Sequence, residues 1–241
     1  MAFVAVLLLT AARAAPGDEP ALVADRPGFG ESANTVPQGR VQAEAGATWT
    51  RIDSQTSTTD LPTLLIRVGL LGPLELRVLV PDYVRTRSEG RTTTGWADMA
   101  VGFKVHLGSF GGSDVTLRAT ADVPTGSSDL TAHRVDPEAA LAWSRSLSER
   151  WSLGATVATR RFRLDHRTLT SPSVSVGRSL SEHVATFVEY GALLGEGLRT
   201  VHRLDHGYTW LVNARTQLDA SLGLSSAPPD FFVGVGWCRR F

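Results

Sequence analysis

The sequence predicts an all-β fold: a 12-stranded antiparallel transmembrane β-barrel with short periplasmic turns and longer extracellular loops. Three observations predict it. After Arg40, apolar residues alternate with small or polar ones at period two, which is the pattern of strands. No segment carries a long i, i+3, i+4, i+7 stripe, and no run of about 18 apolar residues could cross a bilayer as a helix. The alternation also sorts charge and glycine onto one face and large apolar residues onto the other, as in a barrel whose outside meets hydrocarbon.

The elements follow in chain order. Residues 1–14 read as a secretory signal peptide: a short apolar run over 3–9, then Ala12 and Ala14 flanking Arg13 ahead of cleavage after Ala14 or Ala15. No Lys or Arg precedes the apolar run, and the competing reading is a buried N-terminal strand. Residues 15–39, with their Pro and Gly, form a periplasmic lead-in. Residues 40–241 form the barrel. Its strands fall near 40–52, 61–70, 73–84, 96–107, 113–124, 134–146, 150–163, 168–179, 182–194, 200–212, 215–225 and 230–241. Each matches the 9–11 residues of a tilted transmembrane strand plus an overhang. Connections after the even strands are tight, as at Gly72-Pro73 and 108–112. Most after the odd strands are longer and polar, as at 54–59, 87–95 and 125–132. An even count puts both chain ends on the periplasmic side.

The two faces differ in chemistry. One face carries Glu44, Arg67, Glu75, Arg77, Asp98, Lys104, Arg118, Asp122, Glu138, Glu189, Gln217 and Asp219, with Gly46, Gly69, Gly102, Gly154, Gly177, Gly223, Gly234 and Gly236 among them. This face is read as the lumen, and its charges as one polar network. Arg67 is expected to pair with Glu75, and Arg77 with Glu44, because a buried charge must be paired to be tolerated. Such a network braces the barrel, or forms a constriction that selects what passes. The opposite face carries Leu, Val, Ala and aromatics. Trp49, Trp96, Phe231 and Phe232 fall at one set of strand ends, and Trp151, Trp210, Trp237 and Phe241 at the other. Two aromatic bands are expected at the two membrane interfaces. The terminal Phe241 after an alternating strand resembles the assembly signal of outer-membrane barrels, read by the barrel-assembly machinery. Arg239 departs from that pattern and is expected to snorkel.

The chain resembles a family at this point. Asp25-Arg26-Pro27-Gly28-Phe29, Val36-Pro37-Gln38-Gly39-Arg40 and Gln42-x-Glu44-x-Gly46 open the resemblance. Leu64-Leu65-Ile66-Arg67, Leu74-Glu75-Leu76-Arg77, residues 98–104 (DMAVGFK), residues 217–223 and residues 229–234 complete it. Together these are similar to the outer-membrane transporter family catalogued under the meta-pathway of phenol degradation. Over the whole mature chain, the resemblance implies a bacterial outer-membrane barrel for uptake of aromatic or other small compounds.

Composition excludes several other classes. The 241 residues hold 24 basic and 24 acidic side chains, which leaves no basic footprint for nucleic acid. The single Cys238 rules out a disulfide framework and any all-cysteine metal cluster. No cofactor is expected. His202 and His206 are four residues apart, which on a strand separates them by about 13 Å, too far to share an ion. No histidine and serine occupy matching positions of one strand pair, so no catalytic residue is assigned and an enzyme is not expected. The expected partners are outer-membrane lipid, lipopolysaccharide and a small-molecule solute; Arg85, Arg87 and Arg91 of the external loops either contact lipopolysaccharide phosphates or, as the weak value of surface charges favours, are simply solvated. Twelve strands lie between a barrel filled by its own side chains and an open porin. The competing readings are a non-conducting structural barrel with a charge-plugged lumen, and a soluble secreted barrel that binds ligand inside.

Overall fold

A computed structural model describes residues 20–226 and 231–241. The predicted signal peptide, residues 15–19 of the lead-in and the link at 227–229 lie outside the described residues. The strands are β1 (Val41–Arg51), β2 (Thr56–Leu61), β3 (Leu65–Gly69), β4 (Leu74–Leu79), β5 (Tyr83–Ser88), β6 (Arg91–Trp96), β7 (Met99–Phe110), β8 (Ser113–Val123), β9 (Asp136–Ser146), β10 (Trp151–Arg161), β11 (Thr168–Ser179), β12 (Val184–Gly195), β13 (Val201–Asn213), β14 (Thr216–Ser225) and β15 (Phe231–Arg240). They make twelve staves, because three staves are each interrupted once: β2 with β3, β4 with β5, and β6 with β7. Pro62 and Pro81 sit at two of the breaks. A proline has no N–H for the ladder, so the pairing parts there.

All neighbours are antiparallel. The order runs from β15 down to β7, then β4, β3 and β1, and β15 pairs with β1 to close the ring. The closing register runs from Gln42 opposite Arg240 to Arg51 opposite Phe231. A closed ring leaves no unpaired edge, which a lipid-facing sheet requires. The upper halves β2, β5 and β6 continue the sheet beyond β1. Two expected loops are therefore strands: residues 56–59 belong to β2, and the polar segment 87–95 is mostly a β5–β6 hairpin. Its turn is built on Glu89 (φ 49°) and Gly90 (φ 78°). Both central residues of a twist-matched two-residue hairpin turn need positive φ.

The inside-out assignment holds. Val101, Leu117 and Leu222 are 37%, 42% and 49% exposed on the outer wall, whereas Lys104, Arg118 and Asp219 are 0%, 8% and 6% exposed inside. A soluble barrel would show the reverse, with its large apolar residues in the middle. The greasy outer belt makes this a barrel of the bacterial outer membrane. Trp49 and Trp96 are exposed at one end of the staves, and Trp151, Trp210, Trp237 and Phe241 at the other. Phe231 stacks edge-on against Trp49, but Phe232 turns into the lumen and meets the Phe29 ring at 5.7 Å. Phe232 therefore leaves the aromatic band in which its sequence position placed it.

Candidate functional site: the lumen and its lead-in

The lumen is set by what fills it. Residues 20–39 of the lead-in, whose position the sequence leaves open, run through the barrel's interior. An irregular strand-free segment must satisfy its backbone with side chains. Three wall glutamates do so. Glu44 accepts the N–H groups of Asp25 (3.0 Å) and Arg26 (3.2 Å), Glu75 accepts that of Val36 (2.7 Å), and Glu189 accepts those of Phe29 (2.6 Å) and Gly30 (2.7 Å). Wall arginines take its carbonyls: Arg240 donates to Pro20 (2.7 Å) and Ala21 (3.2 Å), and Arg67 to Asn34 (3.1 Å). The lumen-facing glycines make the room. A Cβ on Gly46 or Gly236 would lie 2.3 or 2.4 Å from the Arg26 guanidinium, and one on Gly69 would lie 2.1 Å from the Pro37 carbonyl.

The charged side chains join into a chain of ion pairs. Arg67 sits between Glu44 (2.7 Å) and Glu75 (2.8 Å), all three buried. Arg77 bonds Glu75 (2.9 Å) and Asp25 (2.6 Å). The expected pair of Arg77 with Glu44 is thus replaced, because the Glu44 carboxylate is taken by Arg67 and the lead-in backbone. Lys104 lies 3.1 Å from Asp25 and 3.7 Å from Glu31. Arg118 joins Glu31 to Glu138, and Arg160 joins Glu138 to Asp122. Asp219 pairs with Arg26 at 3.3 Å, and Arg26 also donates to Thr63 (3.0 Å). Burial pushes the Asp25 carboxyl up, but Arg67, Lys104 and Arg77 around it hold it well below the usual carboxylate range.

The structure brings together Glu44, Arg67, Glu75, Arg77, Lys104, Arg118, Asp122, Glu138 and Asp219 of the predicted set. Glu189 serves the lead-in backbone, and Gln217 is buried in the wall opposite Cys238. Asp98 stands apart. It lies at the break between β6 and β7 and accepts the N–H groups of Gly126 and Ala132, both at 2.8 Å. Its carboxylate fastens the loop between β8 and β9 and takes no part in the network. Sequence reasoning missed Asp25, Arg26, Glu31, Arg160 and Arg240. The first three link wall charges that do not reach each other.

The lead-in does not fill the whole cross-section. A cavity of about 500 Å³ opens toward the tight-turn end, along a wall of hydroxyls that includes Ser144, Ser152, Ser173, Ser175 and Thr209. A second, of about 270 Å³, lies toward the loop end beside Phe29, Arg118, Pro172, Leu193 and Arg203. Glu31, Thr156 and Ser173 line both. There the Glu31 N–H donates to Thr156 at 3.0 Å and pins the lead-in to β10. The guanidinium of Arg203 lies over the Phe29 ring at 4.6 Å.

Solved structures share this fold. An outer membrane channel from Pseudomonas putida F1 is 14% identical with a TM-score of 0.66, covering 90% of this chain and 99% of that one. The NanC porin is 6% identical with a TM-score of 0.60, covering 82% and 98%. A KdgM porin in complex with disordered oligogalacturonate is 8% identical with a TM-score of 0.58, covering 82% and 99%. No curated protein matches the sequence. A family model described as "Putative MetA-pathway of phenol degradation" matches residues 24–241, nearly all of the chain beyond the lead-in's first residues, and the protein belongs to that family.

Proposed function

We propose that the protein is an outer-membrane channel for small solutes, aromatic compounds among them. One observation carries this reading: two cavities adjoin within the barrel, both lined by Glu31, Thr156 and Ser173. A packed structural barrel would have no reason to keep them. The cavity toward the loop end combines the apolar surfaces of Phe29, Ala158 and Leu193 with two guanidinium groups, which suits a small ring bearing a polar substituent. The family description, which names phenol degradation, points the same way.

The wall charges are proposed to brace the barrel and narrow the passage together. Glu75 holds Arg67, Arg77 and the Val36 N–H, so Glu75→Ala should loosen the lead-in and raise single-channel conductance in planar bilayers. Unchanged current would count against a gating role for the network. Liposome swelling with aromatic acids compared with sugars tests the solute class. A non-conducting barrel is the second reading, favoured by the lead-in's dense contacts with β1, β3 and β4. It prevails if neither the full chain nor Glu75→Ala carries current.

The remaining assignments support the same placement. Residues 1–14 are proposed to direct export. The exposed aromatics at the two ends of the staves are proposed as interface bands. Arg85, Arg87 and Arg91 project from the exposed β5–β6 hairpin, where lipopolysaccharide phosphates would meet them. β15 is proposed as the strand read by the assembly machinery. Its Arg239 lies over the Phe241 ring at 5.4 Å, so the stem stays with the aromatic band while the charge reaches the interface.

A further inference from the structure

Lys104 has a distinctive set of partners. It projects from β7, is fully buried, and its ion pairs are with Asp25 (3.1 Å) and Glu31 (3.7 Å), both from the lead-in. Its cross-strand neighbour Glu75 is committed to Arg67 and Arg77, and its other neighbour is the cation Arg118. The two lead-in carboxylates are six positions apart in sequence, yet they converge on the one ammonium. The turn between them is closed by Ser32, whose N–H and hydroxyl both donate to Asp25. Arg77 and Arg118 complete the surround, through Asp25 and Glu31 respectively. A sequestered ammonium favours an anion beside it, so the place that Asp25 and Glu31 leave on withdrawal suits another anion.

We propose that Lys104, Arg77 and Arg118 form a carboxylate-binding site in the lumen, filled here by Asp25 and Glu31 and taken by a small carboxylate solute when those residues withdraw. The lead-in is then a tethered stand-in for cargo. Glu31 and Arg118 both face the 270 Å³ cavity, so a solute resting there lies against the site's outer edge. Phe29, Ala158 and Leu193 offer its apolar body a surface. That the carboxylate travels rests on the channel reading; that it binds does not.

The test therefore reads binding without conduction. Asp25→Ala with Glu31→Ala in the full chain removes both occupants and leaves space for a carboxylate. Sodium benzoate titrated into this detergent-solubilised variant should raise its unfolding temperature beyond what sodium chloride does at equal ionic strength. Adding Lys104→Gln should weaken the benzoate midpoint about tenfold, the factor that one charge-assisted hydrogen bond carries. Equal effects of benzoate and chloride would overturn the proposal, as would a midpoint indifferent to Lys104→Gln. If the double variant does not fold, Glu31→Ala alone vacates the Arg118 side and is read by the same criteria. A barrel that binds benzoate but passes no current would defeat the channel reading and leave this one standing.

Discussion

The lumen's two sides bury polar groups in opposite ways. On the side of β3, β4, β7 and β8 the wall projects Arg67, Arg77, Lys104 and Arg118, whose long side chains reach inward and meet the lead-in's acids. On the side of β9 to β12, Glu138 and Arg160 pair toward the loop end, but the tight-turn half projects serines, threonines and glycines and leaves a cavity of about 500 Å³. The ring is one continuous sheet, so strand number alone does not decide whether a twelve-stranded barrel is filled. Side-chain length does. Long ionic groups need partners across the lumen and turn their side into a cross-linked solid. Short hydroxyls take their hydrogen bonds from water and leave space.

Breaking the filled side should have the largest effect. Arg67→Ala takes from buried Glu44 its cationic partner and from Glu75 one of its two, and also strips a donor from the Asn34 carbonyl. Removing one partner of a buried pair costs about 3–5 kcal/mol. The expected outcome is a fall in the temperature at which the heat-modifiable gel band of the folded barrel disappears. An unchanged transition would mean that the cross-linked side adds nothing to the barrel.

Glu189 sharpens the comparison, because it is where the lead-in reaches over to the open side. It accepts the N–H groups of Phe29 and Gly30, and no backbone partner replaces it. Glu189→Ala should cost about 1–3 kcal/mol, the penalty of leaving buried donors unmade. The tip of the lead-in should come off β12, joining the two cavities and raising conductance. Equal single-channel currents from Glu189→Ala and the unaltered chain would show that this tip does not part them.

The same contrast explains what the sequence made legible. Period two is a local property, so the staves and their inward faces could be read from Val41, Ala43 and Ala45 against Gln42, Glu44 and Gly46 onward. The extensions β2, β5 and β6 were hidden because runs such as Thr92-Thr93-Thr94 are polar on both faces outside the membrane and carry no alternation. Asp98 lies on the charged face by count, but the break before β7 hands its carboxylate to a loop. The lead-in has no period at all, and its place is a tertiary fact. One signal does point to it. Glycines recur at Gly46, Gly69 and Gly236, where side chains of a self-filled barrel are expected.

Acid tests the filled side more gently than mutation. Asp25 is held well below the ordinary carboxylate range, so its contribution is fully present above its unfolded value of about 4 and fades as pH falls toward the folded one. Docking of the lead-in should therefore be constant from about pH 8 to 5 and weaken only below about pH 4. Protease accessibility of residues 20–39 in the folded barrel follows this directly. Release beginning near neutral pH would mean that Asp25 is not the carboxylate that holds it.

The smallest effect belongs to the open side. Ser175 faces the larger cavity, opposite Gly154 on the neighbouring stave, and holds no lead-in group. Ser175→Ala should shift stability by no more than about 0.5 kcal/mol, as at a wet surface position. Ser175→Phe keeps the strand but places a ring in the passage, so conductance should fall while the unfolding transition stays near that of the unaltered chain. If Ser175→Ala instead destabilised the barrel as much as Glu189→Ala, the hydroxyl wall would be packed against something after all, and the difference between the two sides would collapse.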